Sequence, residues 1–287
     1  MKVNLFIVGA PKAGTTSLYH YLNEHPEVQM SNIKEPDYFS NQEIIDQKLY
    51  YKSKCIDNLD DYNELFNNKE CKIYGDASVS YLFYPKVPQR IFKYNPKSKI
   101  IIMLRDPIER AYSHYLMDYR LGLVDATLDD IINNKNLSNK NKLYYQQFIS
   151  LGLYYHQVKR YIDVFGKQNI FIIFQSEFKQ ERDRIMSELY KFLDIKQFIS
   201  NSNKQYNTFV MPKNLIIRRI NSFTAFKKFI KKMLPNLAIN YIKSILFTNK
   251  HKPILDKKLR QKMLNFFIED VILLENLLSR NLEEWKK

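Results

Sequence analysis

Cysteine is scarce: Cys55 and Cys71 are the only two, too few for a disulfide framework and without the spacing of a metal-binding set. That composition predicts a reducing, cytoplasmic setting. Long apolar runs are missing as well. No stretch approaches the about 20 consecutive apolar residues needed to cross a bilayer, which predicts a chain with no spanning anchor. The opening run Val3 to Val8 is too short for the apolar core of a secretory signal and meets a loop at once, so it reads as a buried strand. Internal repeats and low-complexity linkers are also missing, and the 287 residues, 45% of them apolar, read as one globular domain over 1–287. Acidic residues are outnumbered, 30 against 45 basic ones, and the formal charge of +15 favours an anionic partner such as a nucleotide, a polyanion or an acidic membrane surface.

What is present is an alternation of short apolar runs with amphipathic segments, the pattern of an α/β fold with a central parallel sheet flanked by helices. Strands are expected at Leu5 to Val8, Lys72 to Gly75, Ile100 to Leu104 and Ile170 to Phe174, where apolar residues at consecutive positions imply burial on both faces. Helices are expected after Thr15, Pro85, Pro107, Gly152 and Arg182, with Asp106 as cap and Pro107 at the first helical position. A last long helix is expected from Ile254 to Arg280. Before it, 201–247 is a variable, basic amphipathic segment. There Arg218, Arg219, Lys227 and Lys228 interleave with Ile216, Ile220, Phe223 and Phe226, which suits either a wet face on the core or contact with an anionic membrane.

Directly after the first strand stands Gly9-Ala10-Pro11-Lys12-Ala13-Gly14-Thr15-Thr16-Ser17. A small-residue loop opening into a helix offers backbone N–H groups and the positive helix end to an anion, so this is a phosphate cradle. The nucleotide-triphosphatase loop carries its lysine immediately after the last glycine. Here that position is Thr15 and the lysine lies within the loop at Lys12. A lysine there can sit beside a 5′-phosphate and the bridging oxygen of a leaving group.

The string Pro-Lys-x-Gly-Thr-Thr-Ser resembles the 5′-phosphosulfate loop of sulfotransferases that use PAPS (3′-phosphoadenosine 5′-phosphosulfate), above all the branch of heparan sulfate and bacterial carbohydrate sulfotransferases. The resemblance implies a P-loop-like sulfotransferase fold, with Lys12, Ala13, Gly14, Thr15, Thr16 and Ser17 as donor contacts. Arg105-Asp106-Pro107-Ile108-Glu109-Arg110-Ala111-Tyr112-Ser113 is similar to that family's 3′-phosphate motif, which makes Arg105 and Ser113 the implied contacts to that phosphate. A guanidinium leaving a strand's carboxyl end can hold a phosphate through two parallel hydrogen bonds. Lys34-Glu35-Pro36-Asp37-Tyr38-Phe39 resembles the family's catalytic segment, which implies Glu35 as general base, Lys34 near the sulfuryl site and Lys12 as stabiliser of the leaving group. More loosely, Lys250 and Lys252 resemble a donor-covering loop.

Asp76 stands where heparan sulfate members commonly carry lysine, a departure that opens the acceptor side to question. Tyr38, Phe39, Tyr50 and Tyr81 are candidate sugar platforms, although most aromatics pack in cores or at rims. Among the histidines, His20 and His25 read as structural. No metal is required by these assignments. The implied activity is transfer of a sulfuryl group from PAPS, leaving PAP, to a hydroxyl or amino group of a glycan or lipid-linked glycan. The expected setting is cytoplasmic, with room for peripheral contact at the inner membrane face, and the expected partners include no nucleic acid. The alternatives are a P-loop nucleotide kinase or ATPase, disfavoured by Thr15, and a non-catalytic polyanion or membrane binder using the segment after Asn214.

Overall fold

The structure is a computed structural model that describes residues 2–51, 56–67, 70–133, 138–200, 211–212, 247–248 and 252–287. Five strands form one wholly parallel sheet: β1 (Leu5–Gly9), β2 (Val28–Met30), β3 (Ile73–Asp76), β4 (Lys99–Leu104) and β5 (Ile170–Phe174), in the order β2-β3-β1-β4-β5. Leu5 to Val8 and Ile100 to Leu104 are fully buried, as runs without alternation require of strands covered on both faces. Four of these strands coincide with the expected ones to within a residue or two. β2 was not expected, because three residues carrying the polar Gln29 become a strand only by pairing with β3.

The covering helices are α1 (Thr15–Asn23), α2 (Asn41–Gln47), α3 (Leu59–Glu64), α4 (Val87–Tyr94), α5 (Pro107–Leu121), α6 (Leu128–Ile132), α7 (Asn139–Phe148), α8 (Tyr154–Phe165), α9 (Gln175–Gln180), α10 (Arg182–Phe192) and α11 (Lys257–Leu278). α5 begins as expected: Pro107 occupies its first position and the Asp106 carboxylate accepts the N–H groups of Ile108 and Glu109 at 2.8 and 3.0 Å. The terminal helix α11 packs on α5 and α8. Its Asp270 accepts the backbone N–H groups of Tyr154 and Tyr155 at 2.6 and 3.1 Å, so one helix caps the start of another. The sequence segment 201–247, including its basic amphipathic stretch, lies outside the described residues except for Met211–Pro212 and Phe247, which belong to a short antiparallel pair with Thr248. Among the described residues no helix is long and apolar enough to cross a membrane.

Chain order places the site. From β1 the chain runs outward to β2 and returns through β3, then crosses β1 to build β4 and β5 on the other side. The sheet's carboxyl ends therefore diverge at β1 and β4, the position where open parallel sheets hold ligands.

Candidate functional site

The loop leaving β1 is held by its backbone. Ala10 N–H donates to the Met103 carbonyl of β4 at 2.6 Å, and a side chain at Gly9 would meet Leu82 Cβ at 2.7 Å, so the chain passes where only glycine fits. Gly14 precedes α1 with φ 107°, a conformation natural to glycine, and offers no side-chain cap. Among the described residues the N–H groups of Thr15 and Thr16 donate to no acceptor, while that of Ser17 reaches the Gly14 carbonyl at 3.0 Å. Uncapped N–H groups and the helix dipole together favour an anion.

Arg105, just beyond β4, ties the two sequence motifs together. Its Nη1 donates to the Lys12 carbonyl at 3.2 Å and its Nη2 bonds Glu109 at 3.0 Å. Glu109, Ser113 and Met117 follow at four-residue spacing along one face of α5, and Lys12 Nζ lies 3.2 Å from Met117 Sδ. Ser113 thus stands on α5 between the residue that holds Arg105 and the residue that touches Lys12. Its hydroxyl has no hydrogen-bond partner among the described residues.

Further cations converge here. Lys252 Nζ bonds Glu109 at 2.7 Å, and Arg260 of α11 bridges Asp106 at 3.1 Å and Glu109 at 3.9 Å. Burial pushes the Glu109 carboxyl up, yet Lys252, Arg105 and Arg260 outweigh it and leave the group below its ordinary range. Lys179 is lowered, first by burial and then by repulsion from Arg105 and Lys252, with Glu109 opposing. Lys252 is therefore brought to the Arg105 motif; Lys250 lies outside the described residues.

On the other side of β1, Glu35 follows β2, exposed, and ion-paired with Lys34. Its N–H donates to the Ala77 carbonyl at 3.2 Å. Lys12 feels this region: burial first, then Arg120, lowers its ammonium, Asp118 opposes, Arg105 lowers it and Glu35 opposes. Lys12, Glu35 and Asp37 all take left-handed backbone conformations, with φ of 66°, 62° and 54°. Such positions cost about 1 kcal/mol or more and persist where surroundings over-determine them, as at functional sites.

Two buried carboxylates lie beside this site: Asp118, which the sequence did not mark, and Asp76, marked there only by its residue type. Asp118, 2% exposed, accepts the Tyr50 hydroxyl at 2.5 Å and lies 3.7 Å from His114 Nε2. Burial pushes it up to about 6 against the pull of Tyr50 and Lys12. The Tyr51 hydroxyl is raised by burial first, then by the charges of Tyr84, Asp118, Asp37 and Glu35. A proton on Asp118 is favoured by folding; that stability is complete below the ordinary carboxylate range and lost as pH rises through about 6. Asp118→Asn cannot ionise. Its stability relative to wild type in urea unfolding is therefore expected to improve between pH 4 and pH 7.5, by on the order of 1 kcal/mol; a constant difference across that range would contradict the buried-acid account.

The second carboxylate, Asp76, is fully buried, accepts hydroxyls from Tyr62, Ser78 and Tyr81 at 2.9, 2.7 and 2.8 Å, and is pushed up to about 6 by burial against those three bonds. Tyr81 and Phe39 are 0% and 6% exposed, so neither is a sugar platform: both are core. Tyr38 stacks on Tyr62, with ring centroids 4.7 Å apart. His25 is buried, within 2.9 Å of the Lys196 carbonyl and accepting Glu27 N–H, a structural role as expected. No group of three or more metal-ligating side chains occurs among the described residues.

Comparison with known proteins bears on the family and the fold. The chain is 26% identical over 208 residues to a bifunctional heparan sulfate N-deacetylase/N-sulfotransferase 1 of Caenorhabditis briggsae, covering 68% of this chain and 23% of that protein. The chain spans less than half the length of the curated relatives it matches. Among solved structures, a sulfotransferase from Alicyclobacillus acidocaldarius superposes with a TM-score of 0.73 at 26% identity, over the whole of both chains. A mouse sulfotransferase, SULT7A1, complexed with PAP has the same fold at 15% identity, with a TM-score of 0.51 over 97% of this chain and 90% of that one. The family model described as the sulfotransferase domain matches residues 2–264, and with the loop, the Arg105 strand and the parallel sheet in place, this chain belongs to the sulfotransferase family.

Proposed function

We propose that residues 1–287 act as one sulfotransferase domain, moving a sulfuryl group from PAPS to a hydroxyl or amino group of a glycan. The observation that carries this reading is the Arg105 guanidinium bonded to the Lys12 carbonyl, 3.2 Å away. That contact supports a guanidinium fork for one phosphate beside the loop for another, the pair of groups that a nucleotide with phosphates at its 5′ and 3′ positions would need. Lys12, Ala13, Gly14, Thr15, Thr16 and Ser17 hold the 5′-phosphosulfate; Arg105 and Ser113 hold the 3′-phosphate. Lys252 and Lys250 supply cations over the donor.

The acceptor oxygen or nitrogen attacks sulfur in line, its bond to sulfur forms as the bond from sulfur to the bridging phosphate oxygen breaks, and PAP leaves. Glu35 takes the acceptor proton, and Lys12 stabilises the charge that grows on the bridging oxygen, with Lys34 beside the sulfuryl group. Such a transfer depends mainly on positioning and electrostatics, and none of these roles calls for a metal.

A glycan acceptor is supported by the heparan sulfate relative, and a lipid-linked glycan at the inner face of the membrane suits the net charge of +15. Membership of the sulfotransferase family disfavours both the kinase and the non-catalytic binder. The test pairs binding with turnover. PAP at about a hundred times its dissociation constant is expected to stabilise the chain by about 2.7 kcal/mol in thermal unfolding, with ADP at the same concentration giving far less. Labelled sulfate is expected to pass from PAPS to de-N-sulfated heparan sulfate or another glycan of a panel. Equal stabilisation by ADP and PAP, without sulfate transfer, would overturn the proposal.

A further inference from the structure

We infer that Asp76 is a positioning residue for sulfuryl transfer, acting through the segment that carries Glu35; the inference rests on the reading of Glu35 as base. Asp76 ends β3 at the sheet's carboxyl edge, without solvent exposure. A carboxylate buried there is costly unless its oxygens are satisfied, and three hydroxyls satisfy them: Ser78 on Oδ1, Tyr62 and Tyr81 on Oδ2. Each hydroxyl has one proton to give. Once that proton is on Asp76, the oxygen can only accept from elsewhere.

What they accept comes from the catalytic segment. Ser78 Oγ accepts the backbone N–H of Asp37 at 3.1 Å, and Tyr81 Oη accepts that of Phe39 at 3.3 Å. The third hydroxyl belongs to Tyr62, whose ring stacks on Tyr38 at 4.7 Å and meets Phe39 edge-on at 5.6 Å. Each leg from one carboxylate therefore ends on one of three consecutive residues, Asp37, Tyr38 and Phe39. Glu35 is pinned to the same strand end through its N–H on the Ala77 carbonyl at 3.2 Å. Ser80 completes the seam, donating to the Asp37 carboxylate at 2.6 Å and sharing a hydrogen bond with Ser40 at 2.8 Å.

This bracing answers the unfavourable backbone of the segment. Glu35 and Asp37 both sit at positive φ, and a loop so strained relaxes unless its N–H groups are held. A negative charge at position 76 orients both relay hydroxyls so that they receive those N–H groups. A lysine at this position would present protons to the hydroxyls and remove that polarity, so the carboxylate and the relay hydroxyls of Ser78 and Tyr81 belong together.

The test uses Asp76→Asn, Ser78→Ala and Tyr81→Phe in the full chain, each also combined with Glu35→Gln, with sulfate transfer from PAPS to the glycan that wild type modifies best. Ser78→Ala and Tyr81→Phe each cut one relay and keep the rest of the core, so they carry the test should Asp76→Asn fail to fold. In single variants kcat is expected to fall about tenfold, because displacement of a reacting group by a fraction of an ångström is enough for such a loss. The acceptor KM and the PAP dissociation constant are expected to stay within about twofold. Amide hydrogen exchange at Asp37 in Ser78→Ala, and at Phe39 in Tyr81→Phe, is expected to speed up while exchange at Ala13 to Ser17 is unchanged. Combined with Glu35→Gln, each variant is expected to add no further loss, since it acts through that carboxylate.

Two results overturn the inference. One is Glu35→Gln slow as proposed but the second substitution multiplying the loss in full, which would make Asp76 independent of Glu35. The other is kcat unchanged in the single variants although the Asp37 and Phe39 amides exchange faster. Glu35→Gln transferring sulfate at the wild-type rate is a distinct pattern: it removes the base assignment itself, and the positioning role with it.

Discussion

Glu35→Gln is expected to lower sulfate transfer from PAPS about 10²- to 10⁴-fold, the contribution of a positioned proton acceptor, while PAP affinity stays within about twofold. The substitution preserves shape and removes the capacity to take a proton together with the charge. Its structural cost is small, because Glu35 is exposed and its pairing with Lys34 is a surface contact; such pairs contribute about 0–1 kcal/mol. The proposed donor contacts lie on the other side of β1, where the loop, Arg105 and α5 are held by bonds that do not include Glu35. Some transfer is expected to persist, since in the proposed mechanism Lys12 and the uncapped start of α1 still favour the departing PAP. The measurement is single-turnover transfer beside calorimetric titration with PAP. Wild-type kcat in Glu35→Gln would remove Glu35 from the mechanism; loss of PAP binding in step with activity would show that the residue serves the donor instead.

The same division between local and assembled features explains what could be read in advance. Ile100 to Leu104 announces a strand because consecutive apolar residues have no other use at that length, and Asp106-Pro107 announces a helix start because cap and first position have chemical requirements. The loop from Gly9 to Ser17 is legible for the same reason: glycine at a positive φ and an uncapped helix start are local properties. β2 is not local, since Val28–Met30 becomes a strand only beside β3. Neither is Arg260, which reaches Asp106 and Glu109 from a helix about 150 residues later in the chain. Asp118 and Tyr50 share a hydrogen bond across 68 positions, and nothing at either end marks it. Asp76 sits between these cases. Its residue type raised a question about the acceptor side, and only the structure shows its carboxylate buried among three hydroxyls.

Arg105→Ala is expected to weaken PAP binding about 10²- to 10³-fold, the loss of two charge-assisted hydrogen bonds at about 1.5–3 kcal/mol each, offset in part by water. AMP, which lacks the 3′-phosphate, is expected to lose less than about tenfold in affinity for the same variant. The difference isolates the ribose end of the nucleotide from the loop end. Arg105→Lys restores the charge but not the geometry: a single ammonium cannot donate to the Lys12 carbonyl and present a parallel pair to a phosphate at once, so it is expected to remain at least about tenfold weaker than wild type. Glu109 makes the argument sharper. In the wild type it is shared by Arg105, Lys252 and Arg260, so removal of Arg105 leaves two cations to neutralise it and the fold loses little. Thermal unfolding without nucleotide should then change by no more than a few degrees while the PAP-induced stabilisation collapses. Equal loss of PAP and AMP affinity would place Arg105 at the 5′ end and reverse the orientation of the nucleotide along the sheet.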